Sequence, residues 1–229
     1  MRVIDRLLGL AFLTVASAPF AAEAQAVSLE GTWAAKVKTT ADFTVPLVGT
    51  TLADVAVAVR LDVKEENGQL NTVVELCELT TDSASLKVDY SKAIQYFKGS
   101  ISIPSQSFAA GDKLPLPEIN ILVGQDDAGK SVDVDNDGKA GVTLPSTALG
   151  VLKLNAYTGL KLTLKLDATL ASADSITGNG LLNSVGTIYG SDNALVTGGA
   201  LNVVQKGPAP FNAKHFAGSV SCVDVLKQL

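Results

Sequence analysis

A strict alternation of apolar and polar residues recurs through most of this chain, and it restricts the folds available more than any other feature. In DVAVAVRLDVK, Val55, Val57, Val59, Leu61 and Val63 share one face, while Asp54, Ala56, Ala58, Arg60, Asp62 and Lys64 share the other. GLKLTLKLDATL repeats the pattern, with Leu160, Leu162, Leu164 and Leu166 opposed by Lys161, Thr163, Lys165 and Asp167. A period of two belongs to strands with one buried and one wet face. After the first run, EENG and then QLNTVVELCEL predict a β-hairpin that turns at Asn67-Gly68.

TWAAKVKT, FTVPLVG, ISIP, EINILVG, VLKLNAY, VGTIYG, ALNVVQK and HFAGSVSCVDVL read as further strands. GNG at 178–180, GSDN at 190–193 and GPAPFN at 207–212 read as the turns between them. Helix is expected only in short pieces, around 91–96 and at the extreme C-terminus. Many short strands without long helical patterns predict an all-β domain, mainly antiparallel, built as a barrel or a β-sandwich. A membrane-spanning barrel alternates in the same way but needs aromatic girdles, and aromatics make up 5% of this chain.

The compartment is read from the first 26 residues. Arg2 and Arg6 precede a mostly apolar run, 7–22, which ends in small residues, and AEAQA offers a cleavage site after Ala26. This predicts a signal peptide over 1–26, a single β domain over 27–229, and a secreted or periplasmic protein. No later stretch is apolar for long enough to suggest a membrane-spanning helix. The net charge is -5 and Arg60 is the only arginine after the leader, so no basic surface for nucleic acid is evident. In an oxidising compartment Cys77 and Cys222 are expected to pair, two buried free thiols being the other reading. Nothing in the sequence indicates the oligomeric state.

Residues 124–141, GQDDAGKSVDVDNDGKAG, satisfy two motif patterns. Gly124, Gly129, Lys130 and Ser131 match a phosphate-binding loop, but SVDVDNDG after Lys130 predicts strand and turn. The helix N-terminus that would hold phosphate is therefore not expected. Asp133, Asp135, Asp137 and Gly138 match the opening half of a calcium loop, with the backbone carbonyl of Lys139 as the next ligand and Asp126 or Asp127 able to fold back. Leu144 stands where that loop has a bidentate Glu. The alternative is a polar hairpin tip between strands VDV and VTL, whose Asp and Asn side chains cap backbone amides.

No catalytic residues stand out. His215 is the single histidine, no nucleophile elbow is present, and Glu65-Glu66 and Glu75/Glu78 read as solvated edges of a hairpin.

At the start of the predicted domain SLEGTWAAKVK resembles the GxW opening of lipocalins and related calycins, through Gly31 and Trp33. That resemblance implies a small barrel with an apolar ligand inside, and a structural role for Trp33 at the barrel base. DVDNDGKAGVTL is also similar to a loop of exported bacterial proteins without an assigned activity. Three functions follow as expectations: a carrier of a lipid or other apolar small molecule, a structural or adhesive exported domain fastened by a disulfide and calcium, or an enzyme with an unrecognised site.

Overall fold

The computed structural model describes residues 26–229, so the expected signal peptide lies outside the described residues apart from Ala26. The chain is all-β, with eleven strands in one antiparallel sheet: β1 (Gly31–Val45), β2 (Gly49–Glu66), β3 (Gln69–Asp82), β4 (Leu86–Val88), β5 (Lys98–Pro104), β6 (Ile119–Val123), β7 (Val142–Ala148), β8 (Leu152–Ser172), β9 (Ser175–Ser191), β10 (Gly199–Gln205) and β11 (Ala209–Phe216). Among the described residues a single turn of 3-10 helix, Ile94–Tyr96, and one α-helix, α1 (Cys222–Gln228), complete it. Among the described residues no helix is long and apolar enough to cross a membrane.

The sheet curls into a ring. β10 and β11 both pair with β9 on one side and β1 on the other, at different heights, so they lie end to end in a single position. β4 and β5 share the position beside β3, and β6 and β7 share the position beside β8. Eleven strands therefore occupy eight positions, the number that closes a barrel whose interior is just filled or holds one small ligand. Hydrogen bonding closes the ring between β4 and β7 at one end, whereas no ladder joins β5 to β6 at the other. Where β9 passes from β10 to β11, Gln205 occupies the fork. Its Oε1 accepts from Leu182 N at 3.0 Å, and its Nε2 donates to the Gly180 carbonyl at 3.0 Å and to the Gly207 carbonyl.

The alternation has the expected sense. Leu160, Leu162, Leu164 and Leu166 point into the barrel, while Lys161, Lys165 and Asp167 are exposed on its outside. A barrel that spans a membrane needs the reverse arrangement. Asn67 and Gly68 close the β2–β3 hairpin with φ of 54° and 72°, the double left-handed turn that Asn-Gly favours. In β3 the inward residues Leu76 and Leu79 are three apart. The ladder slips between Ala58 and Val59, which leaves Cys77 as an extra residue on the outer face.

Several details of the sequence reading are corrected. The strands are long: VLKLNAY and GLKLTLKLDATL are one strand, β8, of 21 residues, continuous through Gly159 with a shift of register at Tyr157/Thr158. TWAAKVKT and the first three residues of FTVPLVG likewise form one strand, β1, which ends at Val45. GNG at 178–180 lies inside β9 and not at a turn. A side chain at Gly178 would collide with the Asp167 backbone, so glycine there permits the close approach of two strongly curved strands. HFAGSVSCVDVL is strand only as far as Phe216, and its end is α1.

α1 begins at Ser221, whose side chain accepts from Asp224 N while the Asp224 carboxylate accepts from Ser221 N and Oγ, the latter at 2.6 Å. S-x-x-D was a visible signal for this cap. Those hydrogen bonds hold the Asp224 carboxyl below its ordinary value, so their stabilisation is present above about pH 4 and lost as pH falls through the lowered pKa. Helical amide protection in α1 is expected to fall selectively below pH 4; protection unchanged at pH 3 would show that the box does not hold the helix.

Candidate functional site

The barrel interior is aliphatic along its length and incompletely filled. Three apolar cavities of about 80, 70 and 60 Å³ follow one another along the axis. Leu162 and Leu182 line both the upper and the middle cavity, and Leu61, Leu166, Phe211 and Ala213 line both the middle and the lower. Val57, Val59, Leu164 and Leu182 face inward yet keep some accessible surface, because no side chain fills the space before them.

The lower end is closed by Trp33, Leu29, Phe108, Leu114 and Leu170, all buried. Trp33 on β1 donates its indole N–H to the Leu29 carbonyl at 2.8 Å and packs on the His215 ring at 4.8 Å between centroids. Gly31, φ 118°, leaves the space that His215 Nε2 occupies, and that nitrogen lies 3.1 Å from the Glu30 carbonyl. Gly31 and Trp33 thus act together at the base through His215, a partner that one chain of sequence had no means of assigning to them.

The upper cavity is lined by four polar residues, Tyr90, Ser146, Thr158 and Ser184, whereas Thr39 and Gln205 reach the middle cavity and Thr72 the lower. Thr158 donates to the Val142 carbonyl at 3.3 Å. Burial pushes the Tyr90 phenol up to about 12, and the neighbouring Thr81 hydroxyl offsets part of that rise. Their approach falls short of a well-formed hydrogen bond, since buried Thr81 Oγ1 has no partner in hydrogen-bonding geometry. Tyr90 is therefore neutral over the whole ordinary pH range and has a proton to donate. The unfolded chain, with its phenol at about 10, releases that proton first. The barrel is expected to lose stability between about pH 10 and 12, and the Tyr90 phenol to ionise late in an ultraviolet titration. A titration of folded protein that Tyr90→Phe leaves unchanged above pH 10 would contradict this.

Residues 124–141 are not a hairpin tip. They form an excursion from the barrel wall between β6 and β7, and VDV is not a strand. Gly124 and Gly141, with φ of 68° and 94°, both lie against the Thr158 carbonyl, where a Cβ would collide with backbone. The excursion thus leaves and re-enters at one place, held by Val132 N to Gly124 O at 3.0 Å and Val134 N to Gly141 O at 3.2 Å. Around Lys130 the chain makes a tight turn with a Gln125–Ser131 bridge, and no helix follows. Asp126 Oδ1 accepts from Ala128 N and Lys130 N within that turn, and among the described residues the metal-capable group is Asp133, Asp135 and Asp137, without Asp126 or Asp127.

In that group one oxygen from each carboxylate lies within 4.8 Å of the others. Asp133 accepts from Asp137 N at 3.2 Å and Gly138 N at 3.0 Å; Asp137 accepts from Lys139 N at 2.8 Å and Thr143 Oγ1 at 2.6 Å; Asp135 Oδ2 accepts from Thr143 N at 2.9 Å. The sixth oxygen, Asp135 Oδ1, is buried without a partner. Leu144 points into the barrel core and supplies nothing to the loop. The Lys139 ammonium sits 5.7 Å from the Tyr157 ring centroid.

Cys77 and Cys222 form a disulfide with Cα atoms 5.0 Å apart, joining β3 to the first residue of α1. Beside it, Arg60 donates to the Val220 carbonyl at 2.9 Å and pairs with Asp62 at 2.6 Å and Glu75 at 3.2 Å. Glu75 also meets Lys98 at 2.8 Å, and Glu78 meets Lys36 at 2.5 Å. Both glutamates, expected as solvated edges, are half-buried and ion-paired, and Glu75 through Arg60 belongs to a polar network that seats the C-terminal segment on the barrel. Asp174 Oδ1 lies 3.7 Å from His215 Nδ1. No protein-family model matches the chain, and no curated protein sequence does.

Proposed function

We propose that this chain is an exported, non-catalytic barrel of calycin-like design that holds a slender apolar molecule, a lipid or other alkyl chain, along its axis. The string of apolar cavities carries the reading. At about 24 cal/mol per Å³ a void the size of the upper cavity (about 80 Å³) costs about 2 kcal/mol, a penalty that an alkyl chain lying in it removes. Each cavity is smaller than the roughly 150 Å³ that accepts a benzene ring, whereas three in line suit a narrow chain. Tyr90 offers a donor to a polar end of such a ligand. The expected leader and the disulfide support an oxidising, exported setting.

Native mass spectrometry of protein from its own host is expected to show a co-purifying lipid-sized mass. Added fatty alcohols should raise the melting temperature, with about 2.7 kcal/mol of stabilisation at a hundredfold excess over Kd. Leu182→Phe, which adds volume between the upper and middle cavities, should keep the fold and weaken binding at least tenfold. No bound mass, and no shift with chains of any length, would overturn the carrier reading.

A second reading, a structural or adhesive domain with a calcium-fastened excursion, is favoured by the unpartnered Asp135 Oδ1 among three carboxylates. A cation there would use Asp133, Asp135 and Asp137, with the Lys139 carbonyl as the fourth ligand suggested by motif spacing. Affinity on the order of 0.1 to 1 mM suffices outside the cell. Calcium at that level is expected to raise the melting temperature of the native chain but not of Asp135→Asn; an equal or absent response in both would remove the cation.

A further inference from the structure

The connections at the two ends of the barrel differ in charge. Connections 46–48, 83–85, 149–151 and 192–198 lie together at the upper end, as shown by Leu149 N to Ser85 O at 2.7 Å, Thr51 Oγ1 to Ser85 Oγ at 2.7 Å and the packing of Gly199 against Pro46. Asp192 is the single charged residue in all four, and its carboxylate is engaged by Asn155 N and Nδ2, each at 2.8 Å. The connections at the lower end carry Glu30, Asp112, Lys113 and Asp174. In place of charge, the upper end presents Leu47, Leu149, Val151 and Leu195, exposed by 47, 52, 83 and 68%.

Two of these side chains are held there against local backbone preference. Leu47 has φ 70° and Leu149 has φ 51°, a left-handed region that bulky L residues disfavour and that Gly and Asn enter readily. The chain contains its own comparison. At the lower end the turn with φ of 54° and 72° is Asn67-Gly68, whereas at the upper end the turn with φ of 51° and 74° is Leu149-Gly150. The same geometry is made with the favoured residue at one end and with an exposed leucine at the other.

We infer that the upper end docks on a lipid bilayer, with Leu47, Leu149, Val151 and Leu195 seated in its interfacial region. The four side chains expose on the order of 400 Å², about half of what each partner buries in a stable protein interface. They protrude from separate turns, and the charges nearest them, Asp82, Lys87 and Lys153, stand on the adjoining strand ends and not in the turns, Lys87 and Asp82 being paired with each other at 3.5 Å. A fluid apolar phase accepts separate tips, whereas a rigid protein surface would need matching pockets and a polar rim. The patch is continuous with the upper cavity, whose lining includes the adjacent Pro46, Val48, Ala148 and Val196. Docking stands apart from cavity occupancy, and each is measured separately.

Purified protein is expected to co-sediment with phosphatidylcholine vesicles, and to do so undiminished in high salt, because the contact is made by apolar tips and the phosphatidylcholine surface has no net charge. Leu47→Asn with Leu149→Asn should reduce the bound fraction at least tenfold, since about two buried leucines are lost. The same pair should leave the melting temperature unchanged or raised, since Asn tolerates the left-handed backbone. Val151→Asp, at a side chain almost wholly in solvent, should reduce binding as well, and serves if the double variant fails to fold. The inference is overturned if wild-type protein stays in the supernatant with both zwitterionic and anionic vesicles, if the variants bind as well as wild type, or if the residues instead support a homodimer that Val151→Asp dissociates without any vesicle binding. Fatty-alcohol stabilisation measured without vesicles should be the same in the docking variants, which separates loss of docking from loss of the cavity ligand.

Discussion

Removing the Cys77–Cys222 bond, by reduction or as Cys77→Ser with Cys222→Ser, is expected to lower stability by up to about 5 kcal/mol. The bond closes a loop of 145 residues, and on the chain-entropy account a crosslink of that span removes a large part of the freedom of the unfolded chain. For a domain of this size the loss corresponds to about 10 to 20 °C in melting temperature. A local consequence should accompany it. α1 has seven residues, too few to persist alone, and its anchorage consists of the bond, the burial of Val225 against Ala34, Ala58 and Phe216, and the Arg60 contact to Val220. Denaturant melts with and without reductant measure the first effect, and proteolysis after residue 217 measures the second. A change below about 1 kcal/mol with α1 still protected would show that the polar network holds the C-terminus without help from the bond.

Trp33→Ala should cost about 3 to 5 kcal/mol, the range for truncating a large aromatic in a core that cannot collapse around the vacancy. Here collapse is opposed from three sides. The 60 Å³ cavity already lies above Trp33, His215 is held by Gly31 and Glu30 below it, and Leu170 and Ala168 belong to the rigid β8–β9 ladder. The Leu29 carbonyl also loses its donor. Trp33→Phe should cost less, because it keeps most of the volume and forfeits mainly that hydrogen bond. Both are read by circular dichroism melts, since Trp33 is the chain's single tryptophan and fluorescence disappears with it. A loss below about 1 kcal/mol for the alanine variant would show that the base closes without the ring.

Much of the fold was legible because strand periodicity records which side chains face the core. The inward set Val55, Val57, Val59 and Leu61 is the set the alternation identifies, and Asn67-Gly68 turns where its dipeptide says. Even the bulge at Cys77 left a trace, in the three-residue step between Leu76 and Leu79. Strand ends were less legible. Glycine marks both turns and close approaches, so Gly159 and Gly178 read as breaks when they are interior points of long curved strands. The Asp loop was legible in its residues and misplaced in its setting. Spacing suggested a hairpin tip, but β6 and β7 are two halves of one position, and their connection leaves the wall at Thr158.

By itself, then, the sequence determined an antiparallel β architecture, the identity of its two faces, one hairpin turn and the cysteines available to pair, because each of these is a property of neighbouring residues or of composition. Only the tertiary structure decided that eleven strands share eight positions, that an aliphatic lumen remains partly empty, that His215 joins Gly31 and Trp33, and that four turns with a single charged residue among them meet at one end. Those features depend on closure of the ring, which brings together residues more than a hundred apart in the chain, such as Trp33 and His215. No local pattern records which distant turns a curved and twisted sheet will place side by side.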